Sequence, residues 1–228
     1  MTTAEPVLAA EGLYHIFREA TVETVALRGA GLALWPRSWT SVMGPSGSGK
    51  STLLHVMAGL LEPSGGSVLL DGEDLTRLPP PERARRRRHR IGVVLQRDNL
   101  HPLLDAGGNV ELVCRLDGRG ARASRARADA VLADVGLLHR RRHRPAQLSG
   151  GEAQRTAVAV ALATEPTVLL ADEPTGELDE ATAAGLLDLL GGVRDRGTAV
   201  LTVTHNPQVA ERADRRLTMR DGVVVGDG

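Results

Sequence analysis

Lysine is almost absent from this sequence. Among the 228 residues there are 28 lysines and arginines together, and only Lys50 is a lysine. Aromatic residues are also scarce: they make up 2% of the chain, and all of them lie between Tyr14 and Trp39. A hydrophobic core must therefore be built from Leu, Val, Ala and Ile, which suits a parallel β-sheet covered by helices.

Cysteine, net charge and long apolar runs are missing as well. Cys114 is the only cysteine, which excludes an intrachain disulfide and favours a reducing compartment. The 28 basic and 28 acidic side chains balance, so we expect no nucleic acid among the partners. The first residues, "MTTAEP", do not resemble a signal peptide, and no apolar run approaches the ~18 residues of a membrane helix. Any membrane span is therefore expected in another chain.

Strand and helix patterns alternate along most of the chain. "PVLAAEGLYHIF" and "ALRGAGLALW" predict short strands separated by a polar loop, and "TSVM" predicts a strand that leads through a glycine loop into the helix "STLLHVMAGLL". "GGSVLLDGEDL" predicts a further strand, closed by an Asp71-Gly72 turn. From Arg97 to about Leu162 the pattern is helical, and the helix that starts with "GGEAQR" should end near Glu165, because Pro166 follows. The last third alternates again, which predicts a parallel sheet with crossover connections.

The spacing Gly44-x4-Gly49-Lys50-Ser51 is that of a phosphate-binding P-loop. Its glycines allow backbone N–H groups to converge on an anion, and the following helix adds the positive end of its dipole. Lys50 is expected to reach the β- and γ-phosphates, and Ser51 to bind Mg²⁺. The only lysine of the chain thus stands where a narrow point charge is required rather than a planar guanidinium. A merely flexible Gly/Ser loop is disfavoured, since a strand and a helix flank it.

Two carboxylates end the apolar run "TVLLADEP". Ending a buried strand on two acids is costly unless they have a task. With a P-loop upstream, Asp172 is interpreted as the carboxylate that orders Mg²⁺. Glu173 then stands where a base could polarise the attacking water.

The stretch "LSGGE", Leu148 to Glu152, reads first as a helix start, with Ser149 as the cap and Glu152 in the first turn. A Ser-Gly-Gly helix start is also a second anion site. One nucleotide cannot use both this site and the P-loop of the same chain fully.

Taken together, these motifs resemble those of ABC-type ATPases, the nucleotide-binding subunits of ABC transporters. "GPSGSGKST", "LSGGE", "LLADEPTGELD" and "VTH" occur in that family's order and spacing, over essentially Val7 to Gly222. Within the family, "HRPAQLSGGEAQR" and "RRLTMRDG" are most similar to the bacterial lipoprotein-release and macrolide-export ATPases.

The resemblance implies an α/β fold: a P-loop NTPase core of ABC-ATPase type, with an N-terminal antiparallel β subdomain and an inserted α-helical subdomain. It implies one ABC ATPase domain over residues 1–228. Residues 1–96 and 163–228 would form the nucleotide-binding core with the β subdomain, and residues 97–162 the helical subdomain that carries the signature motif.

The resemblance also assigns roles to individual residues. Catalysis would rest on Glu173, His205, Gln96 and Lys50, and Phe17 would stack on adenine, for which Tyr14 fits less well. Mg²⁺ would be held by Ser51, Gln96 and Asp172. The residues expected to contact ATP are Phe17, Gly44, Pro45, Ser46, Gly47, Ser48, Gly49, Lys50, Ser51, Thr52, Ser149, Gly150, Gly151, Glu152 and Asp179.

The implied function is ATP hydrolysis that drives a separate transmembrane permease. ATP and Mg²⁺ are the expected cofactors, and a second ATPase subunit, most simply an identical chain, is the expected partner. The location would be cytoplasmic, peripheral on the inner face of the cell membrane. A soluble ABC ATPase that works without a permease, in iron–sulfur assembly or with nucleic acid, is the alternative.

Some positions depart from the family pattern. Arg37-Ser38 stands where a Gly-Glu turn is usual, Gly107-Gly108 replaces a Leu-Glu pair in the region that faces the permease, Val160 replaces arginine and Asn206 replaces aspartate. The arginine runs at 85–90 and 140–144 are interpreted as solvated surface, with attraction to anionic lipid headgroups as the alternative.

Overall fold

The computed structural model describes residues 5–19 and 22–226, so most of the "MTTAEP" start interpreted above lies outside the described residues. The strands are β1 (Leu8–Glu19), β2 (Val22–Leu34), β3 (Trp39–Met43), β4 (Gly65–Leu70), β5 (Glu73–Asp74), β6 (Ile91–Val94), β7 (Val168–Asp172), β8 (Ala199–Thr204), β9 (Arg215–Arg220) and β10 (Val223–Val225). The α-helices are α1 (Lys50–Met57), α2 (Pro80–Arg90), α3 (Ala106–Leu116), α4 (Ala121–Asp134), α5 (Gly150–Ala161), α6 (Glu180–Asp195) and α7 (Pro207–Glu211).

The first part of the chain forms a four-stranded antiparallel sheet in the order β2-β1-β4-β5. β1 and β2 have 12 and 13 residues and pair from Leu8↔Leu34 to Glu19↔Val22, so they are longer than the short strands predicted. The predicted Asp71-Gly72 turn joins β4 to β5, with φ of 50° and 80°, as a two-residue hairpin requires.

A six-stranded sheet in the order β10-β9-β3-β8-β7-β6 forms the second layer. Its five strands from β9 to β6 are parallel, and β10 adds to the edge as an antiparallel strand. Every residue of β7 and β8 is buried, because helices cover both faces of the sheet. The predicted parallel sheet and α/β fold class are confirmed.

Helices α3, α4 and α5 pack against one another around an apolar cluster of their own. Its members include Val110 and Cys114 of α3, Leu132 of α4 and Ala159 of α5. Cys114 is fully buried there. These three helices lie within the stretch that was predicted to be helical.

Helix α5 ends at Ala161, four residues before the predicted end near Glu165. The guanidinium of Arg127 donates hydrogen bonds to the carbonyls of Leu162 (2.7 Å) and Ala163 (3.0 Å), so these groups are satisfied without another helical turn. Glu165 then adopts φ of 57°, in the left-handed region, immediately before Pro166. Helix α1 likewise ends early, because Gly59 turns the chain at φ of 64°.

The first arginine run forms helix α2, which the sequence did not predict. Its cations have partners nearby: Arg90 pairs with Asp71 (2.7 Å) and Arg86 with Glu73 (2.9 Å). Arg87 donates to the carbonyl of Gly59 at 2.9 Å. Several charges of this surface are therefore satisfied within the chain, and its interpretation as a solvated face stays a prediction.

The departures from the family pattern have local structural roles. Arg37 lies at φ of 57°, where a glycine would be unstrained. A Cβ on Gly107 would lie 2.9 Å from the side chain of Arg141, which occupies that space. Val160 packs against the α3–α5 cluster, and the side chain of Asn206 caps α7 by accepting from the N–H of Gln208 at 2.9 Å.

No helix among the described residues is long and apolar enough to span a membrane.

Candidate nucleotide-binding site

The P-loop connects the buried strand β3 to helix α1, and two of its glycines have no room for a side chain. A Cβ on Gly44 would lie 2.3 Å from the carbonyl oxygen of Met219. Gly49 has φ of 101°, and its Cβ would lie 2.4 Å from the carbonyl oxygen of Ala26. Neighbouring strands therefore fix the loop in a form that only glycine can adopt.

Lys50 is the first residue of α1 and is 7% exposed. Its Nζ donates to the carbonyl oxygens of Gly44 at 2.8 Å and Pro45 at 2.9 Å. These bonds hold the ammonium group over the loop. The Oγ of Ser48, in the same loop, is buried and has no hydrogen-bond partner among the described residues, which fits a loop shaped to receive an anion.

Asp172 ends β7 beside the P-loop and is 3% exposed. The Oγ of Ser51 donates to its Oδ1 at 3.1 Å. Burial raises the pKa of the Asp172 carboxyl, and the hydrogen bond from Ser51 opposes that rise. A buried carboxylate next to a hydroxyl is a suitable pair of oxygen ligands for a hard cation.

Glu173 follows directly, with φ of 44°. Its N–H donates to the carbonyl of Val203 at 2.9 Å, so its backbone is bonded to the end of β8. His205 lies next to its carboxylate, with Nδ1 at 2.8 Å from Oε1. Thr204 Oγ1 donates to Oε2 at 3.0 Å. Thr204 was not among the predicted site residues, although it immediately precedes His205 in the "VTH" motif.

A cavity of about 490 Å³ brings most of the predicted residues together. The residues that line it are Phe17, Thr24, Val25, Ala26, Ser46, Gly47, Gly49, Lys50, Ser51, Thr52, Gln96, Glu173 and His205. Phe17 is 41% exposed, which leaves its ring available for stacking on a base. The hydroxyl of Tyr14 lies instead beside Gly29, outside the lining of this cavity.

The "LSGGE" motif, Leu148 to Glu152, is called the signature stretch here, and α5, which follows from it, the signature helix. The signature stretch lies outside that cavity. Ser149 and Glu152 form the predicted capping box of α5: Ser149 Oγ accepts from the N–H of Glu152 at 3.2 Å, and Glu152 Oε2 accepts from the N–H of Ser149 at 2.9 Å. The Ser149 N–H, assisted by Arg140 at 2.8 Å, lowers the pKa of the Glu152 carboxyl. Asp179 similarly caps α6 through the N–H of Thr182, 3.0 Å away.

Gln96 and Glu173 also line a second cavity of about 490 Å³, which extends to Gly150 at the start of α5. These two residues therefore lie between the P-loop cavity and the signature helix. No cluster of three or more His, Cys, Asp or Glu side chains suited to a metal occurs in the described part of the chain.

Fold and site together define a P-loop ATPase with a helical insertion. The family model described as "ABC transporter" matches residues 27–176. The chain therefore belongs to the ABC transporter family, and it is an ATP-binding subunit with ATPase activity.

Two relatives illustrate where the chain stands in the family. The lipoprotein-releasing system ATP-binding protein LolD 2 of Caulobacter vibrioides is 43% identical over 221 residues, which cover 96% of each chain. The macrolide export ATP-binding/permease protein MacB of Rhodopseudomonas palustris is 42% identical over 216 residues. That match covers 95% of this chain but 33% of MacB.

Solved structures agree with the fold. A dimeric post-hydrolysis state of the ATP-binding cassette MJ0796, bound to ADP and Pi, has a TM-score of 0.90 and 36% identity, with 97% of both chains covered. A dimeric structure of MJ0796, described as a bacterial ABC transporter cassette, also has a TM-score of 0.90, at 37% identity. The predicted ABC-ATPase fold is thus confirmed.

Proposed function

We propose that this chain is the ATPase subunit of a transporter of the lipoprotein-release or macrolide-export type, and that it drives a separate membrane permease. The observation that carries the proposal is the 43% identity to LolD 2 over 96% of both chains. The division of the site adds that two chains would be needed. Lys50, Glu173 and His205 line one cavity, whereas Ser149, the cap of α5, lies outside that cavity. A second copy that presents its own signature helix would complete the site.

Within one chain, each group has a task that its position supports. Lys50 would bring its charge to the β- and γ-phosphates, while Ser51 and Asp172, assisted by Gln96, would hold Mg²⁺. When bound, Mg²⁺ would neutralise charge on the phosphate oxygens. Glu173 would accept a proton from the attacking water, and His205 would contact the γ-phosphate.

In the dimer, two chains would pack head to tail about a two-fold axis. Each ATP would then lie between the P-loop of one chain and residues 149–152 of the other, with Asp179 at the same interface. The dimeric MJ0796 structures support this arrangement, because they share the fold over 97% of this chain.

The permease partner is supported by the similarity to MacB, an ATP-binding/permease protein, and by exposed apolar side chains. Leu103 is 72% exposed, and Leu112 and Leu116, one turn apart on the same face of α3, are 40% and 56% exposed. Leucines in such positions are better accommodated when a partner covers them. We place the subunit at the cytoplasmic face of the membrane, bound peripherally to its permease.

The test uses a tagged Glu173→Gln chain expressed in the native host. The amide keeps the shape of the side chain but not its basicity, so ATP binding should persist while steady-state hydrolysis falls by roughly a hundredfold or more. The trapped ATP-bound form should fractionate with membranes and co-purify with an integral membrane protein.

Two outcomes would count against the proposal. Near-normal hydrolysis by Glu173→Gln would move the base to another residue. A chain that stays in the soluble fraction, without any membrane protein attached, would favour the soluble ABC ATPase instead.

A further inference from the structure

The two carboxylate oxygens of Glu173 are held in different ways. Oε2 accepts from Thr204 Oγ1 at 3.0 Å and from the backbone N–H of His205 at 3.3 Å. Oε1 lies 2.8 Å from Nδ1 of the His205 ring. The first two donors belong to the end of β8, whereas the imidazole is a side chain that is 68% exposed. Oε2 is therefore fixed by the sheet, and Oε1 by a group with room to rotate.

The Thr204 hydroxyl has only one direction in which to donate. It accepts a hydrogen bond from the N–H of Asn206 at 3.0 Å, so its single proton is left for Glu173 Oε2. Thr204 is completely buried, and its branched side chain restricts rotation about χ1. The fold of the chain itself therefore holds the donor in place.

We infer that Thr204 is a positioning residue for Glu173, and that Oε1 is the oxygen that takes the proton from water; this rests on the proposed role of Glu173 as the base. When the His205 ring turns toward the γ-phosphate, Oε1 becomes free while Thr204 still holds Oε2. An O–H bond of the water then breaks, and its proton binds Oε1. The oxygen attacks the γ-phosphorus, and the bond from that phosphorus to ADP breaks, with its electron pair leaving on ADP.

The strained backbone of Glu173 makes this support necessary. A non-glycine residue at φ of 44° persists only where its surroundings hold it. The bond from its N–H to Val203 fixes the backbone, and the bond from Thr204 fixes the far end of the side chain. Without the hydroxyl, Oε2 keeps only the longer bond from the His205 N–H, and the carboxylate can turn away from the water.

The test compares hydroxyl deletions at two threonines of β8. Thr204→Val keeps the shape but removes the donor, and a misplaced base should lower kcat by roughly ten- to a hundredfold while KM for ATP stays within about twofold. Thr204→Ser restores the hydroxyl and should return kcat to within about threefold of the unmodified chain. Thr202→Val is the matched control, because Thr202 Oγ1, also fully buried, accepts from Trp39 Nε1 at 3.0 Å rather than contacting Glu173.

The control should lower the melting temperature but leave kcat within about twofold, because a lost buried hydrogen bond costs stability alone. Thr204→Cys, with a similar size and a weaker donor, should give an intermediate kcat and supplies the comparison if Thr204→Val does not fold. The inference would be wrong if folded Thr204→Val kept the kcat of the unmodified chain. It would also be wrong if Thr202→Val lost as much kcat as Thr204→Val, or if Thr204→Ser did not restore kcat. If Glu173→Gln itself hydrolysed ATP normally, the proposed base would be wrong instead.

Discussion

At the scale of single residues, the surroundings of Lys50 explain why this position has a lysine, although every other Lys or Arg of the chain is an arginine. Its Nζ lies between two loop carbonyls, 2.8 and 2.9 Å away, and the side chain is 7% exposed. A guanidinium is wider and planar and would have to displace the loop or withdraw from it. The size of the cation at this position matters as well as its charge.

Lys50→Arg should therefore be severely impaired although its charge is unchanged. Losing one strong contact in the transition state costs about 3–4 kcal/mol, which lowers the ATPase rate roughly a hundred- to a thousandfold. Steady-state hydrolysis measures the effect, and thermal melting checks the fold. A folded variant with more than about a third of the activity has lost under about 1 kcal/mol, and the geometric argument would then be wrong.

The sequence indicated most of the residues that meet at the P-loop cavity, because their motifs have fixed spacing. Lys50, Glu173 and His205 could be predicted in this way. Thr204 could not be predicted, because threonine is common in β-strands and its presence at the end of β8 does not indicate a functional role. Its bond to Glu173 joins residues 31 positions apart, and only the pairing of β7 with β8 brings them together.

At the scale of secondary-structure elements, α5 and α6 are packed too closely to allow a side chain at Gly151. A Cβ there would lie 2.1 Å from Cγ2 of Thr182, in the first turn of α6. A Cβ on the adjacent Gly150 would lie 3.8 Å from Leu178, which is ordinary contact. The packing of α5 against α6 therefore requires a glycine at Gly151 but not at Gly150.

Gly151→Ala should destabilise the chain by about 1–3 kcal/mol through overpacking, which lowers the melting temperature by about 2–4 °C for each kcal/mol. Gly150→Ala should not lower it. Adding Thr182→Ser removes Cγ2 but keeps the hydroxyl that bonds to Asp179 at 2.7 Å, so the double variant should recover most of the loss. Equal melting temperatures for the two alanine variants would contradict this packing.

Element boundaries were predictable where local chemistry decides them and not where distant contacts do. The hairpin at Asp71-Gly72 follows from turn chemistry, and it formed as predicted. The end of α5 depends on Arg127, 35 residues before the carbonyl it reaches. Helix α2 has no apolar periodicity and no buried residue, and its contacts with Asp71, Glu73 and the carbonyl of Gly59 depend on the fold rather than on local sequence.

At the scale of the whole molecule, the 28 basic and 28 acidic side chains balance, and in the arginine runs several charges are also paired with nearby acids. In α2, Arg86 pairs with Glu73 and Arg90 with Asp71, and in the second run Arg140 pairs with Glu152 at 2.8 Å. Arg141 contacts Glu111 at 2.5 Å and also bonds to Asp129. Arginines paired in this way expose less positive charge to a polyanion.

If a complete ATP site needs two chains, mixing two inactive variants should restore activity. Lys50→Ala disables the P-loop, and Ser149→Arg places a bulky cation at the signature helix start. In a head-to-tail dimer of the two, one site combines the intact P-loop of one chain with the intact signature of the other. The mixture should recover up to roughly a quarter of normal ATPase activity, because half of the dimers are mixed and each has one intact site. A mixture no more active than the separate variants, with mixed dimers present, would mean that the two chains do not share an ATP site.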